Sequence, residues 1–404
     1  MPFVHPEKGP YARRLALIVA AVSMVAPFSI DAYLPSFPDI QRDLGVSAAA
    51  MQQTLSFYLL AFAVGTLVHG PLSDKFGRRP VILSGLGLYV LCSAASALVA
   101  DFSTLLLLRI GQGLTASAGL VVGRAVVRDA FGGAEAQRVM SRVMLIFALA
   151  PAVAPIVGGI LQEVSGWRSV FWFLTAMGAV VWLLAWRNLP ETLAPEARRS
   201  IRPVNVTRAY RRAFFHPGFM AVVLCFTFAF AGMFLYVVGA PRLVFVHLGL
   251  GAADFAYVFV PMVSGVMLGS WLSGQLAQRL GAVRTVNAGF IVMTVAALLN
   301  AGSLQLWPPT VIGVVTPVSL YATGMALALP AMLVVALDYF PRNRGTAAAV
   351  QSFMQTTGNA LVAGLGVPLL GGTALIMAFG QLGFALVGLA IWWGWRRFAA
   401  IAAP

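Results

Sequence analysis

Apolar positions along this chain fall in long unbroken runs, not in the alternation of a half-buried strand or the narrow stripe of a soluble amphipathic helix. Runs of about 20 residues, the length a helix needs to cross a hydrocarbon core, can be marked off twelve times. They cover residues 15–36, 51–70, 80–100, 103–125, 139–161, 167–187, 217–239, 253–276, 284–303, 308–337, 346–370 and 373–396. The pattern predicts an all-α membrane protein. Its longest polar stretch, Arg187 to Pro217, is rich in Arg and Pro and separates six spans from six. We therefore expect an N-terminal six-helix bundle over 1–187, a linker over 188–216 and a second bundle over 217–404. A short internal repeat supports the division. A slide of 200 residues sets GPLSDKFGRRP (Gly70 to Pro80) against SWLSGQLAQRL (Ser270 to Leu280), and a slide of 209 sets RDAF at Arg128 against LDYF at Leu337. A duplicated six-helix unit is the pattern of a secondary transporter.

Composition agrees: 60% of residues are hydrophobic and only 10% charged, too apolar for one soluble core. The net charge of +14 does not point to nucleic acid, because the basic residues form short clusters between apolar runs and no contiguous basic face. Those clusters set orientation instead. All but four of the 27 Lys and Arg fall in alternate loops that include both termini; Arg42, Arg168 and Arg242 fall in the others and Arg109 inside a span. The positive-inside rule then places both termini in the cytoplasm. The basic start and apolar run at the N-terminus lack a convincing cleavage site, so they predict a retained first helix. Cys92 and Cys225 lie within apolar runs, with neither disulfide nor metal-ligand spacing. No GxxxxGK[ST] and no HExxH occur, so neither a nucleotide, a metal nor another cofactor is expected, and the energy source is an ion gradient or the substrate's own.

Two charges lie where a membrane makes charge costly. Asp31, in APFSIDAYLPSFP, and Arg109, in STLLLLRIGQGLTASAG, each sit about 10 Å inward at a rise of about 1.5 Å per residue. Asp31 reads either as an interfacial carboxylate on a first helix that stops at Pro35 or as a proton-binding group in a watered cavity. Arg109 reads as a structural cation, a coupling element, or both, since it acts only through its field and its donors. Gln112, one turn deeper, could relay through water or join two helices. The second half has no acid in mid-membrane; its polar groups are Asn300 and the stripe Gln351, Gln355 and Asn359. Tyr58, Phe62, Met144, Phe147, Phe230, Phe234 and Tyr236 are candidates, with Gln112, Gln351 and Gln355, for lining a substrate cavity, although most such residues face lipid or neighbours.

The motif GPLSDKFGRRP closely resembles the loop 2/3 signature of the major facilitator superfamily, with Gly70, Leu72, Asp74, Gly77, Arg78 and Arg79 at the expected spacing. RIGQGLTASAG resembles that superfamily's fourth-helix motif. APAVAPIVGG resembles its fifth-helix antiporter motif, retaining Pro155, Gly158 and Gly159 with Ala150 and Ala154 where many members have Gly. With DAYLPSFPDI, LPETL, GAPRLVF and RGTAAA, the chain is similar along its length to the Bcr/CflA drug-resistance proton antiporters. The resemblance implies two bundles that rock about a central cavity and a bacterial inner-membrane exporter. Its partners would be protons, a small lipophilic drug-like compound and the bilayer, and we expect a monomer. It implies coupling through Asp31 and Arg109. It also implies a cytoplasmic latch in which Arg78 pairs with Asp129 and Asp74 faces the start of span 11. In the degraded second copy, Gly274 falls opposite Asp74 and Gln278 opposite Arg78, and Asp338 is expected to pair with Arg279 or Arg342. A symporter importing a metabolite is the alternative.

Overall fold

A computed structural model describes residues 10–198, 203–341 and 343–401. Among them there is no strand, as the absence of water in a bilayer requires of a chain that is not a closed barrel. The chain divides into two compact units, Met1–Val206 and Thr207–Pro404.

The first unit holds α1 (Pro10–Asp31), the short α2 (Phe37–Asp43), α3 (Ala48–Phe76), α4 (Arg78–Ser96), α5 (Phe102–Ala130), α6 (Gly133–Ser165) and α7 (Trp167–Asn188). The second unit is entered along α8 (Pro203–Phe214). It continues with α9 (Pro217–Val238), α10 (Phe255–Leu280), α11 (Ala282–Leu306), α12 (Val311–Asp338), α13 (Arg344–Leu361), the one-turn α14 (Val367–Leu370) and α15 (Ala374–Ile401). Among the described residues ten helices are long and apolar enough to cross a membrane, and α6 is apolar over Leu149–Ser165. The rod from α13 to α14, broken by a π-turn at Val362–Gly366, completes the twelve.

The two units repeat one packing scheme. In the first, α5 packs on α3 and α4, α4 on α7, and α1 on α5, α6 and α7. In the second, α12 packs on α10 and α11, α11 on α15, and α9 on α12, α13 and α15. Helix caps set the register. Asp101 caps α5 by accepting from the N–H of Thr104, and Thr310 caps α12 by accepting from that of Gly313, which keeps the slide of 209. The signature loop, however, aligns at 204. Gly77, at φ 102°, closes α3 and opens α4, and Gly281, at φ 78°, does the same between α10 and α11. A left-handed turn admits glycine far more readily than any residue with a Cβ, so these two glycines correspond. The slide of 200 is corrected: Gln278 stands opposite Asp74 and Ala282 opposite Arg78.

Helix ends follow proline chemistry. α1 stops at Asp31 rather than running to 36, because Pro35 has no N–H to offer the Asp31 carbonyl and its ring would collide with it. The chain continues through a 3₁₀ turn at Leu34–Ser36. Where the helices touch, small residues let backbones meet. On α6 a Cβ at Gly158 would fall on the carbonyl oxygen of Ala32, whereas one at Gly274 on α10 would meet nothing within 4 Å.

That contrast gives a paired test. Gly158→Ala is expected to destabilise the detergent-solubilised protein by roughly 1–3 kcal/mol through overpacking. Gly274→Ala should be neutral or raise stability by up to about 1 kcal/mol. Melting temperatures of the two variants check both.

Candidate functional site: a ring-clasped arginine, a lone carboxylate and a fastened loop

Arg109 lies on α5 with no exposed surface. Its guanidinium sits between two aromatic faces, 4.4 Å from the ring centroid of Tyr33 and 4.4 Å from that of Tyr58. Nη1 donates to Ser29 Oγ at 3.2 Å and to Gln112 Oε1 at 2.8 Å, while Nε and Nη2 find no hydrogen-bond partner among the described residues. The ring faces supply the missing compensation, each cation–π contact contributing about 2 kcal/mol when desolvated. Gln112 passes the chain of bonds on, donating to Ser93 Oγ of α4 at 2.7 Å. Its role here is to join helices. The rings are fixed in turn: the Tyr33 hydroxyl lies 3.2 Å from Thr54 Oγ1, and that of Tyr58 donates to the Ala26 carbonyl at 3.4 Å.

Asp31 is the one buried carboxylate among the described residues, 4% exposed at the last position of α1. It makes no ion pair with Arg109 or with any other described residue. Helical geometry explains the separation. Ser29 and Tyr33, four apart, both face Arg109, and Tyr33 keeps helical dihedrals. A residue midway is turned about 200° from each. Guanidinium and carboxylate therefore make no ion pair and are joined only through the backbone of one helical turn. Ala32, the next residue, is the point where Gly158 presses its helix against α1, and Ala150 and Ala154 of the same motif are fully buried. The antiporter-like motif thus meets the chain one residue beyond the carboxylate, with Pro155 leaving the Pro151 carbonyl without its usual helical donor and Gly159 buried beside Gly158.

At the other end of the first unit the signature loop is fastened on three sides. Arg78 Nε donates to Asp129 Oδ2 of α5 at 2.8 Å, and Nη1 donates to Asp74 Oδ1 at 2.6 Å and Ser73 Oγ at 2.7 Å. Gly70 takes part through its carbonyl, which accepts from Ser73 Oγ at 2.9 Å. Arg79 Nη2 donates to the Trp186 carbonyl of α7 at 2.7 Å. The third fastening is made by a residue of LPETL whose role no local spacing marks out. Glu191, in LPETL, accepts from the N–H of Arg78 at 3.0 Å, of Arg79 at 3.3 Å and of Leu193 at 3.0 Å. A carboxylate thus satisfies the first two orphan donors of α4 and sits at its positive end. A Cβ at Gly77 would collide with Glu191 Oε2. In the second unit Asp338 pairs with Arg344 at 3.3 Å and not with Arg279, and the expected alternative Arg342 lies outside the described residues.

The cavity candidates scatter. Phe62 stacks on Tyr58 at 6.5 Å between centroids, and Phe230 lies 5.9 Å from Phe234. Tyr236 is fully buried and accepts from Asn300, which also donates to Gln381 Oε1 at 3.0 Å. That network is internal to the second unit. Gln351 donates to Gln355 at 3.2 Å along α13. Met144 and Phe147 belong to α6, and their side chains lie outside the described residues. Sequence reading also missed Ser29 and Tyr33, whose spacing of four around Asp31 carried the signal. It counted Arg124 as a loop charge, yet Arg124 stands within α5, partly buried and without a hydrogen bond or ion pair among the described residues.

Twelve helical rods in two matching units, a clasped arginine on the fourth and a carboxylate on the first define a membrane transporter. The profile of the Major Facilitator Superfamily matches residues 19–363, and the chain belongs to that family. It is 30% identical to the bicyclomycin resistance protein homolog of Haemophilus influenzae, over 72% of this chain and 74% of that protein. It is also 30% identical to a chloramphenicol resistance protein of Pseudomonas aeruginosa, over 83% of this chain and 79% of that one. The fold matches a bacterial homologue of the human lysosomal transporter Spinster with a TM-score of 0.74 at 18% identity, covering 97% of this chain and 98% of the other.

Two outcomes follow from the geometry. Arg109→Lys keeps the charge but cannot lie flat between two rings while reaching Ser29 and Gln112, so a loss of roughly 1–3 kcal/mol is expected in thermal unfolding. Glu191→Ala exposes two helix-terminal donors, and amide exchange at Arg78 and Arg79 should accelerate about tenfold, the equivalent of a lost cap. Exchange in the first turn of α11 serves as the unchanged reference.

Proposed function

We propose that this chain is a proton-coupled antiporter that exports small lipophilic compounds of the bicyclomycin or amphenicol kind across the bacterial inner membrane. Both termini are cytoplasmic, the working unit is a monomer, and the proton gradient drives the cycle without a bound cofactor. The observation that carries this reading is Asp31, a lone buried carboxylate with no cationic partner among the described residues, one position before the Ala32 backbone on which Gly158 of the antiporter-like motif closes. Its charge must be balanced by something other than a neighbouring side chain, and a proton taken from outside and released inside does so once per cycle. Ser29 and Tyr33, on either side of Asp31, tie the end of α1 and the residues just after it to Arg109. A change of charge or position at Asp31 therefore reaches the guanidinium as a movement of α1. Because a ligand shifts an equilibrium only by differential affinity, drug and proton favour different states of the carrier. The resistance named for the relatives and the one-sided distribution of Lys and Arg support export and orientation respectively.

Everted vesicles with an acidified lumen test the scheme. Adding a transported drug should make the lumen less acidic as protons leave in exchange. Asp31→Asn should abolish that response and lower drug resistance to that of the empty host. Luminal acidification on adding the compound would show symport and overturn the proposal.

A further inference from the structure

The helix that leads into the second unit carries a surface that neither the transport scheme nor the fold accounts for. Along α8, Arg208, Arg211 and Arg212 stand three and four residues apart and so share one face, and with Phe215 they line one shallow surface pocket. The opposite side is docked: Ala213 is 1% exposed and Phe214 packs edge-on against Phe353 of α13, ring centroids 5.7 Å apart. The segment from Pro203 to Phe215 contains no acidic residue. None of the three arginines makes an ion pair among the described residues. Simple hydration would explain three exposed cations, but it does not explain a phenylalanine left 80% exposed beside them. The position does. Two residues beyond Phe215 the chain enters the membrane-spanning α9 at Pro217, which holds this face at the depth where lipid phosphates and the first acyl carbons meet.

We propose that this face is a binding site for an anionic phospholipid, the arginines engaging the headgroup phosphate bidentately and Phe215 resting on the upper acyl chain. The complementarity is chemical: fixed guanidinium forks suit phosphate oxygens, and an aromatic ring beside them suits the boundary between headgroup and hydrocarbon. The lipid would brace α8 against α13 and so steady the entry to the second unit.

The test uses the full chain in nanodiscs of phosphatidylcholine mixed with phosphatidylglycerol, followed by native mass spectrometry of co-purifying lipid. Both leaflets of a nanodisc have the same composition, so the result is independent of membrane orientation and of drug export. The wild type should retain phosphatidylglycerol over phosphatidylcholine by roughly tenfold or more. The triple variant Arg208→Gln, Arg211→Gln, Arg212→Gln should retain the two lipids equally. The triple Lys variant, which keeps the charge and controls for folding, should hold most of the preference, and Phe215→Ser should weaken retention of both lipids. Equal retention by the wild type, an undiminished preference in the Gln variant, or displacement of the lipid by inorganic phosphate alone would overturn the proposal.

Discussion

A guanidinium that water does not reach has to be satisfied by the protein around it, and in this molecule Arg109 sets that demand for the whole first unit. Three elements answer it at once: the end of α1 and the turn after it with Ser29 and the ring of Tyr33, α3 with the ring of Tyr58, and α5 itself with Gln112. Ser93 extends the chain of bonds to α4. Losing any one partner leaves charge uncompensated in a medium of low polarity, so these helices are bound to a common arrangement more tightly than their apolar contacts alone would bind them. Asp31 is then placed one step round the helix from that cluster, outside it yet joined to it through the backbone of one turn.

The opposite end of the unit uses the same physics in a less buried setting. Arg78 gathers Asp74 and Asp129, while Glu191 takes the backbone donors that Arg78 and Arg79 expose at the start of α4. One short loop therefore reports on the ends of α3, α4 and α5 and on the segment after α7. The second unit has the same turn, closed by Gly281, but Gln278 and Ala282 stand where the carboxylate and the guanidinium would be. Its interior is likewise neutral, built on Asn300, Tyr236 and Gln381. The two units share a packing scheme, while the buried Asp31 and Arg109 belong to the first alone among the described residues.

Such an asymmetry suits a carrier whose two halves do different work. The half with Asp31 and Arg109 buries one ionisable and one permanently charged group. The half with the glutamine stripe of α13 offers neutral donors and acceptors, which do not change with pH.

Much of this was legible in the chain itself. Unbroken apolar runs determine spans because the bilayer leaves the backbone no other partner, and glycine is favoured at left-handed turns. Asp31 and Arg109 stood out because charge in a span is rare. What the linear pattern left open was direction and register. Depth along a helix places Asp31 and Arg109 in one layer, but whether they touch depends on which way each faces, and Ser29 and Tyr33 turn the contact away from Asp31. A short match such as GPLSDKFGRRP against SWLSGQLAQRL can slip by one turn of helix, and only the dihedral at Gly281 corrects it. Glu191 was invisible because a cap donated from a segment more than a hundred residues away has no local spacing to read. The sequence by itself determined that this protein spans a membrane as two related helical halves and which charges are out of place there, because those are properties of composition and periodicity. Tertiary structure alone decided what each of those charges touches, because contact is settled by the rotation and close approach of helices that lie far apart along the chain.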